Sequence, residues 1–331
     1  FIMMSSTKPI LGVAAMMLIE EGLIRPSDPV SKWIPEFAEM QVAVLRDPGD
    51  EDISPPFVLP NNVPEHRLVP AEREITVHDI LTHTSGIASG GLGSAISEDA
   101  IMWLDTRTSL ATNVPKYGDI VLDFQPGDRW RYSAATALDV IARIIEIESG
   151  LSFNEFVQQR IFEPLGMNDT WWNVPEEYQD RLIDIVGSDT ATPPNSAIYD
   201  TSHSTYFGAS YGLKSTAGDY LRFEQMLVNG GELFGNRLLK PQTVELMSSN
   251  QVGDLFNAMP GVSDQGFGYT VATTEESNER RSKGAFGWGG ALGTRSWSDP
   301  AEELTGVIMI QQPVPQVQRD FENAVHQAIM D

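Results

Sequence analysis

Ser5 and Lys8 are the first residues whose types and spacing could carry a reaction. They stand in the run Ser5-Ser6-Thr7-Lys8, at the head of a predicted helix. Positions i and i+3 share one face of a helix, so the Lys8 amine can reach the Ser5 hydroxyl. Because apolar neighbours make a charged lysine costly, they favour the neutral amine, which accepts a proton. The spacing predicts a nucleophilic serine with a lysine base, although so short a motif also fits a capping serine beside a surface lysine.

Tyr132 is the second candidate, in the run Tyr132-Ser133-Ala134 ahead of a predicted helix. A tyrosine beside an amine can hold or shuttle the proton that a serine nucleophile must lose. By itself a Tyr-Ser pair fits a half-buried aromatic residue with one hydrogen bond equally well. Its meaning therefore depends on the elements that bring it to Ser5.

The run Trp288-Gly289-Gly290-Ala291 is the third candidate and lies among late strand signals. Two glycines let a backbone approach a substrate closely, so an edge strand here could donate an N–H to a carbonyl oxygen. Trp288 would then form a wall of the acyl pocket, and the Ser5 N–H at the helix start would be another donor. The alternative for this run is a glycine bulge in a strand pair.

Helical patterns fill most of the chain before its strand signals begin. Apolar periodicity, capping residues and glycine stops predict helices over 5–21, from 77, over 135–148, over 153–162, from 217 and over 320–330. Strands are predicted over 266–273, 294–298 and 304–311, as an antiparallel meander. An early core helix, a helical middle and a late sheet predict an α+β fold rather than alternating βαβ units.

The composition excludes several classes of partner and chemistry. Among 331 residues, 22 are basic and 46 acidic, and the resulting net charge of −24 repels nucleic acid and anionic membrane surfaces. The absence of Cys rules out disulfides, thiolate metal sites and cysteine nucleophiles. The five histidines have no zinc-ligand spacing, so neither a metal nor a cofactor is expected. The expected partner is a small molecule rather than a nucleic acid or a membrane.

The compartment is not fixed by the sequence, although a soluble, cytoplasmic protein is favoured. No apolar run is long enough to span a bilayer. The chain begins at Phe1, without Met or a basic signal-type region.

Six spaced motifs follow one another along nearly the whole chain. They are Phe1-x-x-x-Ser5-x-Thr7-Lys8, Ile75-Thr76-Val77-x-Asp79-Ile80-Leu81-Thr82-His83-Thr84-Ser85-Gly86, Pro126-Gly127 before Tyr132-Ser133, Pro164-Leu165-Gly166-Met167 before Asp169-Thr170, Gly212-Leu213-x-Ser215-Thr216-Ala217-x-Asp219-Tyr220, and the Trp288 run. Together they resemble the class C β-lactamase-like serine hydrolases, and within them most closely the family VIII carboxylesterases.

This resemblance implies a β-lactamase and penicillin-binding-protein-like fold, with an antiparallel sheet flanked by helices plus a mostly helical domain. We expect residues 1–40 and 211–331 to form the α/β domain, and residues 41–210 to form the helical domain with its cleft-lining loops. The family pattern implies Ser5 as the acylated nucleophile and Lys8 with Tyr132 as the linked base. It also implies an oxyanion hole made by the backbone N–H groups of Ser5 and Ala291.

Two departures from the β-lactamase pattern favour uncharged esters. Ala134 stands where β-lactamases and peptidases carry an amide side chain, and Trp288-Gly289-Gly290 replaces their Lys-Thr-Gly. The missing lysine would have met a substrate carboxylate. We therefore expect a serine carboxylesterase, compatible with acyl transfer and a weak β-lactam side activity, and retain a class C-type β-lactamase or D-amino-acid peptidase as the alternative.

Relatives in this family carry several dozen residues before the Ser-x-x-Lys motif, including strands of the central sheet. Only four residues precede Ser5 here. The expectation is that an N-terminal segment is missing or that a homo-oligomer completes the sheet, and that the chain alone exposes a sheet edge and associates.

Two further functions compete with this interpretation. Gly208-Ala209-Ser210-Tyr211-Gly212 is a G-x-S-x-G run followed by Asp299 and His326, the order of an α/β-hydrolase triad with Ser210 as nucleophile. That motif requires a strand, a sharp turn and a helix in a parallel sheet, whereas this region reads as a loop. A non-catalytic binding homologue could also keep the fold and lose the chemistry. His83 is expected to be a hydrogen-bonded structural residue rather than a base.

Overall fold

An antiparallel sheet lies late in the chain and carries the Trp288 run. The computed structural model describes residues 1–46, 58–97, 108–183, 185 and 204–330. Within these residues the strands are β1 (Gln41–Leu45), β2 (His66–Pro70), β3 (Glu232–Leu233), β4 (Asn236–Arg237), β5 (Gln265–Phe267), β6 (Ala272–Thr274), β7 (Phe286–Gly289), β8 (Arg295–Asp299) and β9 (Leu304–Ile308). Strands β5 to β9 pair antiparallel in chain order, which confirms the predicted meander.

Helices cover both the beginning and the middle of the chain. They are α1 (Lys8–Glu20), α2 (Val77–Leu81), α3 (Leu92–Ile96), α4 (Leu110–Asn113), α5 (Ala137–Ser149), α6 (Phe153–Val157), α7 (Glu163–Leu165), α8 (Ala217–Val228), α9 (Pro241–Ser248) and α10 (Pro315–Met330). A π-helical turn, Gln158–Phe162, joins α6 to α7. The architecture is the predicted mixture of α and β elements. In the part of the chain described, no helix combines the length and the apolar character that a membrane crossing requires.

Helix α1 is the centre of the core. Its residues from Lys8 to Leu18 are all buried, and it contacts α5, α6 and α9. A helix that is apolar on every side must be surrounded by other elements, as the sequence indicates. Glu21 ends the helix, and Gly22 has the left-handed φ of 75° that glycine adopts without steric cost. The first catalytic candidates are thus attached to a helix that is buried along most of its length.

Capping residues set the starts of three helices as predicted. The Thr76, Ser152 and Thr216 side chains each accept a hydrogen bond from the backbone N–H three residues on. For Thr76 and Ser152, the side chain of the acidic residue at that third position accepts a hydrogen bond from the backbone N–H of the capping residue. This second bond completes a capping box.

The predicted strand over 266–273 is wrong in one respect, because the chain reverses in the middle of it. Gly268 N–H donates to the Val271 carbonyl over 2.8 Å, and Thr270 has a positive φ of 70°. The Thr270 N–H is held by the Leu81 carbonyl at 3.0 Å, at the end of α2. The tertiary contact stabilises a tight hairpin, so β5 and β6 replace one long strand. The pairing of β1 with β2 also escaped the sequence analysis.

Helix α8 packs on β8 and β9 and carries a carboxyl group into the interface. Glu224 is 1% exposed and accepts hydrogen bonds from Ser296 Oγ at 2.6 Å and Ser298 Oγ at 2.8 Å. Burial raises the pKa of Glu224 to about 7, although both hydroxyl groups partly oppose the shift.

Replacing Glu224 by Gln is expected to change how stability depends on pH. Between about pH 4.5 and pH 7, the unfolded chain releases the Glu224 proton while the folded chain keeps it, so stability falls as the pH rises. The loss should reach about 3 kcal/mol near pH 7 and then level off. Unfolding in urea at pH 5 and pH 8 measures it, and the Gln variant should lack this part of the difference. Equal pH dependence in both proteins would contradict the expectation.

Candidate active site

Ser5 lies in a 3₁₀ turn, Met4–Thr7, that leads directly into α1. The predicted helix therefore starts at Lys8 as an α-helix, three residues later than expected. The residues before the turn pair with the Gly212-to-Thr216 motif: Met3 N–H donates to the Leu213 carbonyl at 2.9 Å, and Ser215 N–H donates to the Phe1 carbonyl at 3.0 Å. These hydrogen bonds fix the position of residues 1–3, which precede the Ser5 turn in the chain.

A strained backbone precedes Ser5. Met4 has a φ of 48°, which costs a residue with a Cβ atom roughly 1–3 kcal/mol and persists only where surrounding contacts enforce it. Tyr220 provides one such constraint, because its hydroxyl donates to the Ser6 carbonyl over 2.8 Å. Backbone strain of this kind clusters at functional sites in proteins.

Lys8 is fully buried and points back at Ser5. Its Nζ atom lies 3.2 Å from Ser5 Oγ, 2.8 Å from the Ala134 carbonyl and 2.7 Å from the Ser210 carbonyl. Burial lowers the pKa of Lys8, although the neighbouring Tyr132 and Asp139 raise it in part. The pKa of Lys8 therefore shifts toward the neutral amine, which is the direction expected from the sequence.

The two carbonyl groups fix how a neutral Lys8 amine is oriented. Such an amine has two N–H bonds and one lone pair. With the N–H bonds directed at the Ala134 and Ser210 carbonyls, the remaining contact at 3.2 Å leaves the lone pair facing Ser5 Oγ. The amine is therefore arranged to accept a proton from Ser5.

Tyr132 completes the group of three. Its hydroxyl donates to Ser5 Oγ over 2.7 Å, and Lys8 Nζ lies 4.9 Å from the centre of its ring. The structure therefore brings together the amine, the phenol and the hydroxyl that the sequence singled out, across 127 residues of chain.

His83 supports the loop that carries Tyr132. Its carbonyl accepts from Arg131 N–H at 3.0 Å, and its Nδ1 accepts from Ser133 N–H at 3.3 Å. Burial and the nearby Lys8 hold the pKa of His83 well below its usual range. The Nδ1 contact with the Tyr132 loop is compatible with the expected role of His83 as a hydrogen-bonded structural residue.

The motif around His83 is itself braced by an ion pair. Arg73 forms a double hydrogen bond with Asp79 at 2.6 and 2.8 Å, and the Gly127 N–H donates to the Thr84 carbonyl at 2.8 Å. Gly127 has a φ of 92°, which glycine adopts without steric cost, and a Cβ atom there would lie 2.4 Å from Arg73 Nη2. The Pro126-Gly127 motif thus packs against the Thr76-to-Gly86 motif, close to the loop that carries Tyr132.

The Trp288 run lies at the end of β7 and adjoins the Ser5 turn. Thr294, at the start of β8, fastens the two: its Oγ1 lies 3.0 Å from the Met3 carbonyl and 2.9 Å from Ser6 Oγ. A Cβ atom at Gly290 would lie 2.2 Å from the Met3 carbonyl oxygen. The second glycine of the run therefore permits this close approach. The Trp288 ring packs 5.5 Å from that of Tyr132, at the wall of the site.

Within the part of the chain that the structure describes, the Ser5 turn and the Trp288 run each hold a backbone N–H without a protein acceptor. Across the residues that the structure describes, neither the Ser5 N–H nor the Ala291 N–H donates a hydrogen bond. The Gly290 N–H, in contrast, donates to the Thr294 carbonyl at 2.7 Å. Gly289 lies opposite Arg295 in the β7–β8 pair.

Ser210 contributes to the site in a way that the sequence analysis did not predict. Its carbonyl, rather than its hydroxyl, meets Lys8. Asp299 and His326 lie on β8 and α10, and the described strands of the main sheet are antiparallel, which is not the setting of an α/β-hydrolase nucleophile. Over the same described residues, no three His, Asp or Glu side chains are arranged to hold a metal ion.

The fold and this site define a class of serine hydrolase. The sequence matches the model of the Beta-lactamase family over residues 1–329, and the chain belongs to that family. Protein Rv1367c of Mycobacterium tuberculosis is 32% identical, over 93% of this chain and 76% of its own length. Lovastatin esterase of Penicillium rubens is 28% identical, over 94% of this chain and 79% of its own length.

The solved structures extend the similarity to the fold. Simvastatin synthase from Aspergillus terreus, in its LovD6 mutant, superposes with a TM-score of 0.77 at 21% identity, over 99% of this chain and 82% of that chain. The β-lactamase-like fold expected from the motifs is confirmed. The protein is a serine hydrolase of the Beta-lactamase family, with an esterase among its relatives.

Proposed function

We propose that this protein is a carboxylesterase that hydrolyses small uncharged esters through an acyl-enzyme on Ser5. The observation that carries the proposal is the convergence of Tyr132 Oη, at 2.7 Å, and Lys8 Nζ, at 3.2 Å, on Ser5 Oγ. A hydroxyl becomes a competent nucleophile when a positioned base removes its proton during attack.

In the first half-reaction, Ser5 Oγ bonds to the ester carbonyl carbon and its proton passes to Lys8. The free N–H groups of Ser5 and Ala291 are the proposed donors to the oxyanion. As the carbonyl re-forms, the bond to the alcohol oxygen breaks, and Tyr132 donates its proton to the departing alkoxide. Lys8 returns a proton to Tyr132, which leaves an acyl-enzyme and a free alcohol.

In the second half-reaction, water attacks the acyl-enzyme and the same pair removes its proton. Ser5 leaves as the alkoxide, takes a proton back, and releases the carboxylic acid. Another alcohol in the place of water would give a new ester, so acyl transfer competes with hydrolysis wherever alcohol is abundant.

The side chains around the site support uncharged substrates. Trp288 stands where β-lactamases place a lysine, and it packs against Tyr132 and Phe267, 5.4 Å away. Ala134 contributes only its carbonyl, which Lys8 already uses. A substrate carboxylate would thus lack a charged partner at Trp288 and an amide partner at Ala134, which is unfavourable near buried groups.

A panel of p-nitrophenyl esters, assayed beside a chromogenic cephalosporin, tests this preference. We expect kcat/KM for the acetate and butyrate esters to exceed that for the cephalosporin by about 10- to 100-fold, the effect of one missing charge-assisted hydrogen bond. Burst kinetics with the butyrate ester should report the acyl-enzyme. Faster turnover of the cephalosporin would favour the β-lactamase alternative instead.

A further inference from the structure

Asp139 is a buried carboxylate in the first turn of α5 that touches none of the three proposed catalytic side chains. It is fully buried and accepts three hydrogen bonds. Its Oδ1 accepts from Ala209 N–H at 2.7 Å and Ser210 N–H at 2.8 Å, and its Oδ2 accepts from Tyr206 Oη at 2.5 Å. Through these hydrogen bonds the buried carboxylate fixes the position of the backbone at Ala209 and Ser210.

The backbone that Asp139 holds is the one that contacts Lys8. The N–H of Ser210 is bonded to Asp139, and the carbonyl of the same residue accepts from Lys8 Nζ at 2.7 Å. Ala209 and Ser210 are both completely buried. A displacement of this segment would therefore move the acceptor that orients the Lys8 amine.

Two tyrosines hold the other side of the carboxylate. Tyr206 Oη donates to Asp139, and Tyr117 Oη lies 2.9 Å from Tyr206 Oη. Burial raises the pKa of both tyrosines, so both remain phenols and can donate. The chain of donors keeps the Asp139 side chain in one orientation.

We propose that Asp139 is a positioning residue for the Ser5 site, and that it acts by clamping Ala209 and Ser210 so that the Ser210 carbonyl directs the Lys8 lone pair at Ser5. The proposal rests on the proposed role of Lys8 as base. Asp139 touches no substrate, because it is enclosed by α5, Tyr206 and the 209–210 segment.

The charge of Asp139 adds a signature that a purely structural residue would lack. Tyr132 and Asp139 raise the pKa of Lys8, and Lys8 in turn lowers the pKa of His83. Burial raises the pKa of Asp139 itself, which the hydrogen bond from Tyr206 lowers in part, and Asp139 raises the pKa values of Tyr117, Tyr206 and Tyr211. Asp139 raises the pKa of Lys8. Removing its charge while keeping its shape should therefore lower the pKa of Lys8, so that Lys8 becomes neutral at lower pH.

Two substitutions separate the charge from the clamp. Asp139→Asn keeps an oxygen for both backbone N–H groups and removes the charge, whereas Asp139→Ala removes the acceptors as well. Glu224→Gln is the matched control, because it makes the same acid-to-amide change at a buried site that does not contact Lys8. The measurements are kcat and kcat/KM for p-nitrophenyl butyrate from pH 5 to pH 10, together with the rate at which a fluorophosphonate labels Ser5.

Asp139→Asn should shift the acidic limb of the kcat/KM profile to lower pH and keep the plateau within about threefold. Asp139→Ala should lower kcat by roughly 10- to 100-fold, with KM within about threefold, and slow fluorophosphonate labelling to the same extent. In Glu224→Gln the acidic limb of the kcat/KM profile should lie at the same pH as in the wild type.

If the acidic limb of the kcat/KM profile of Asp139→Asn lies at the wild-type pH, the proposal is overturned. It is also overturned if Asp139→Ala folds and its Ser5 reacts with the fluorophosphonate at the wild-type rate. If Asp139→Ala does not fold, the position of the acidic limb in the kcat/KM profile of Asp139→Asn tests the proposal. A wild-type protein that hydrolyses the ester without labelling at Ser5 would instead contradict the proposed function.

Discussion

Replacing Ser5 by alanine is expected to lower kcat for p-nitrophenyl butyrate by about 10⁴-fold or more, because the atom that forms the acyl bond is gone. The burst of nitrophenol and the fluorophosphonate label should disappear with it. Thermal stability should change little, since Ser5 is only partly buried and its contacts are the two hydrogen bonds with Tyr132 and Lys8.

Two serine controls make the Ser5 result specific. Ser6→Ala removes the neighbouring hydroxyl, which faces Thr294 and not the proposed reaction centre. Ser210→Ala removes the hydroxyl of the G-x-S-x-G run and keeps the carbonyl that Lys8 needs. Both variants should retain ester hydrolysis. Activity that survived Ser5→Ala and vanished in Ser210→Ala would establish the α/β-hydrolase-type alternative.

Replacing Lys8 by methionine should lower kcat by about 10³-fold, the usual contribution of a positioned general base. In the wild-type protein kcat/KM should rise with pH as Lys8 loses its proton. The midpoint should lie below the ordinary lysine value, because burial lowers this pKa. The small remaining activity of the variant should lack that limb. A pH profile from pH 5 to pH 10 measures both effects.

Lys214→Met provides a matched control for Lys8→Met. Lys214 is also buried, at 5% exposure, and its Nζ atom donates to the Trp172 carbonyl rather than to the Ser5 site. This variant should keep the wild-type pH profile. If Lys8→Met retained the same acidic limb as the wild type, another group would have to be the base.

Features encoded by neighbouring residues were predictable from the sequence. The capping positions at Thr76, Ser152 and Thr216 depend on one turn of chain, and all three occur in the structure. The reach of Lys8 to Ser5 likewise follows from a separation of three residues. Such patterns depend little on the rest of the fold.

Features that depend on tertiary contacts were harder to predict. The Ala134 and Ser210 carbonyls orient Lys8, yet every residue has a carbonyl and none is marked in a sequence. One feature of the sequence could have pointed to Asp139: it is a lone acid on the buried face of an apolar helix. A buried acid of this kind requires hydrogen-bond partners. The reversal at Thr270 depends on the Leu81 carbonyl, far away in the chain.

The contacts that fix the Ser5 turn have a consequence for refolding. Its bonds to Tyr132, Tyr220 and Thr294 span 127, 214 and 288 residues of chain. Closing such long loops is slow and is rewarded only when the packing between them is in place. Hydrolytic competence should therefore return with the last kinetic phase after dilution from denaturant, later than the regain of helical circular dichroism.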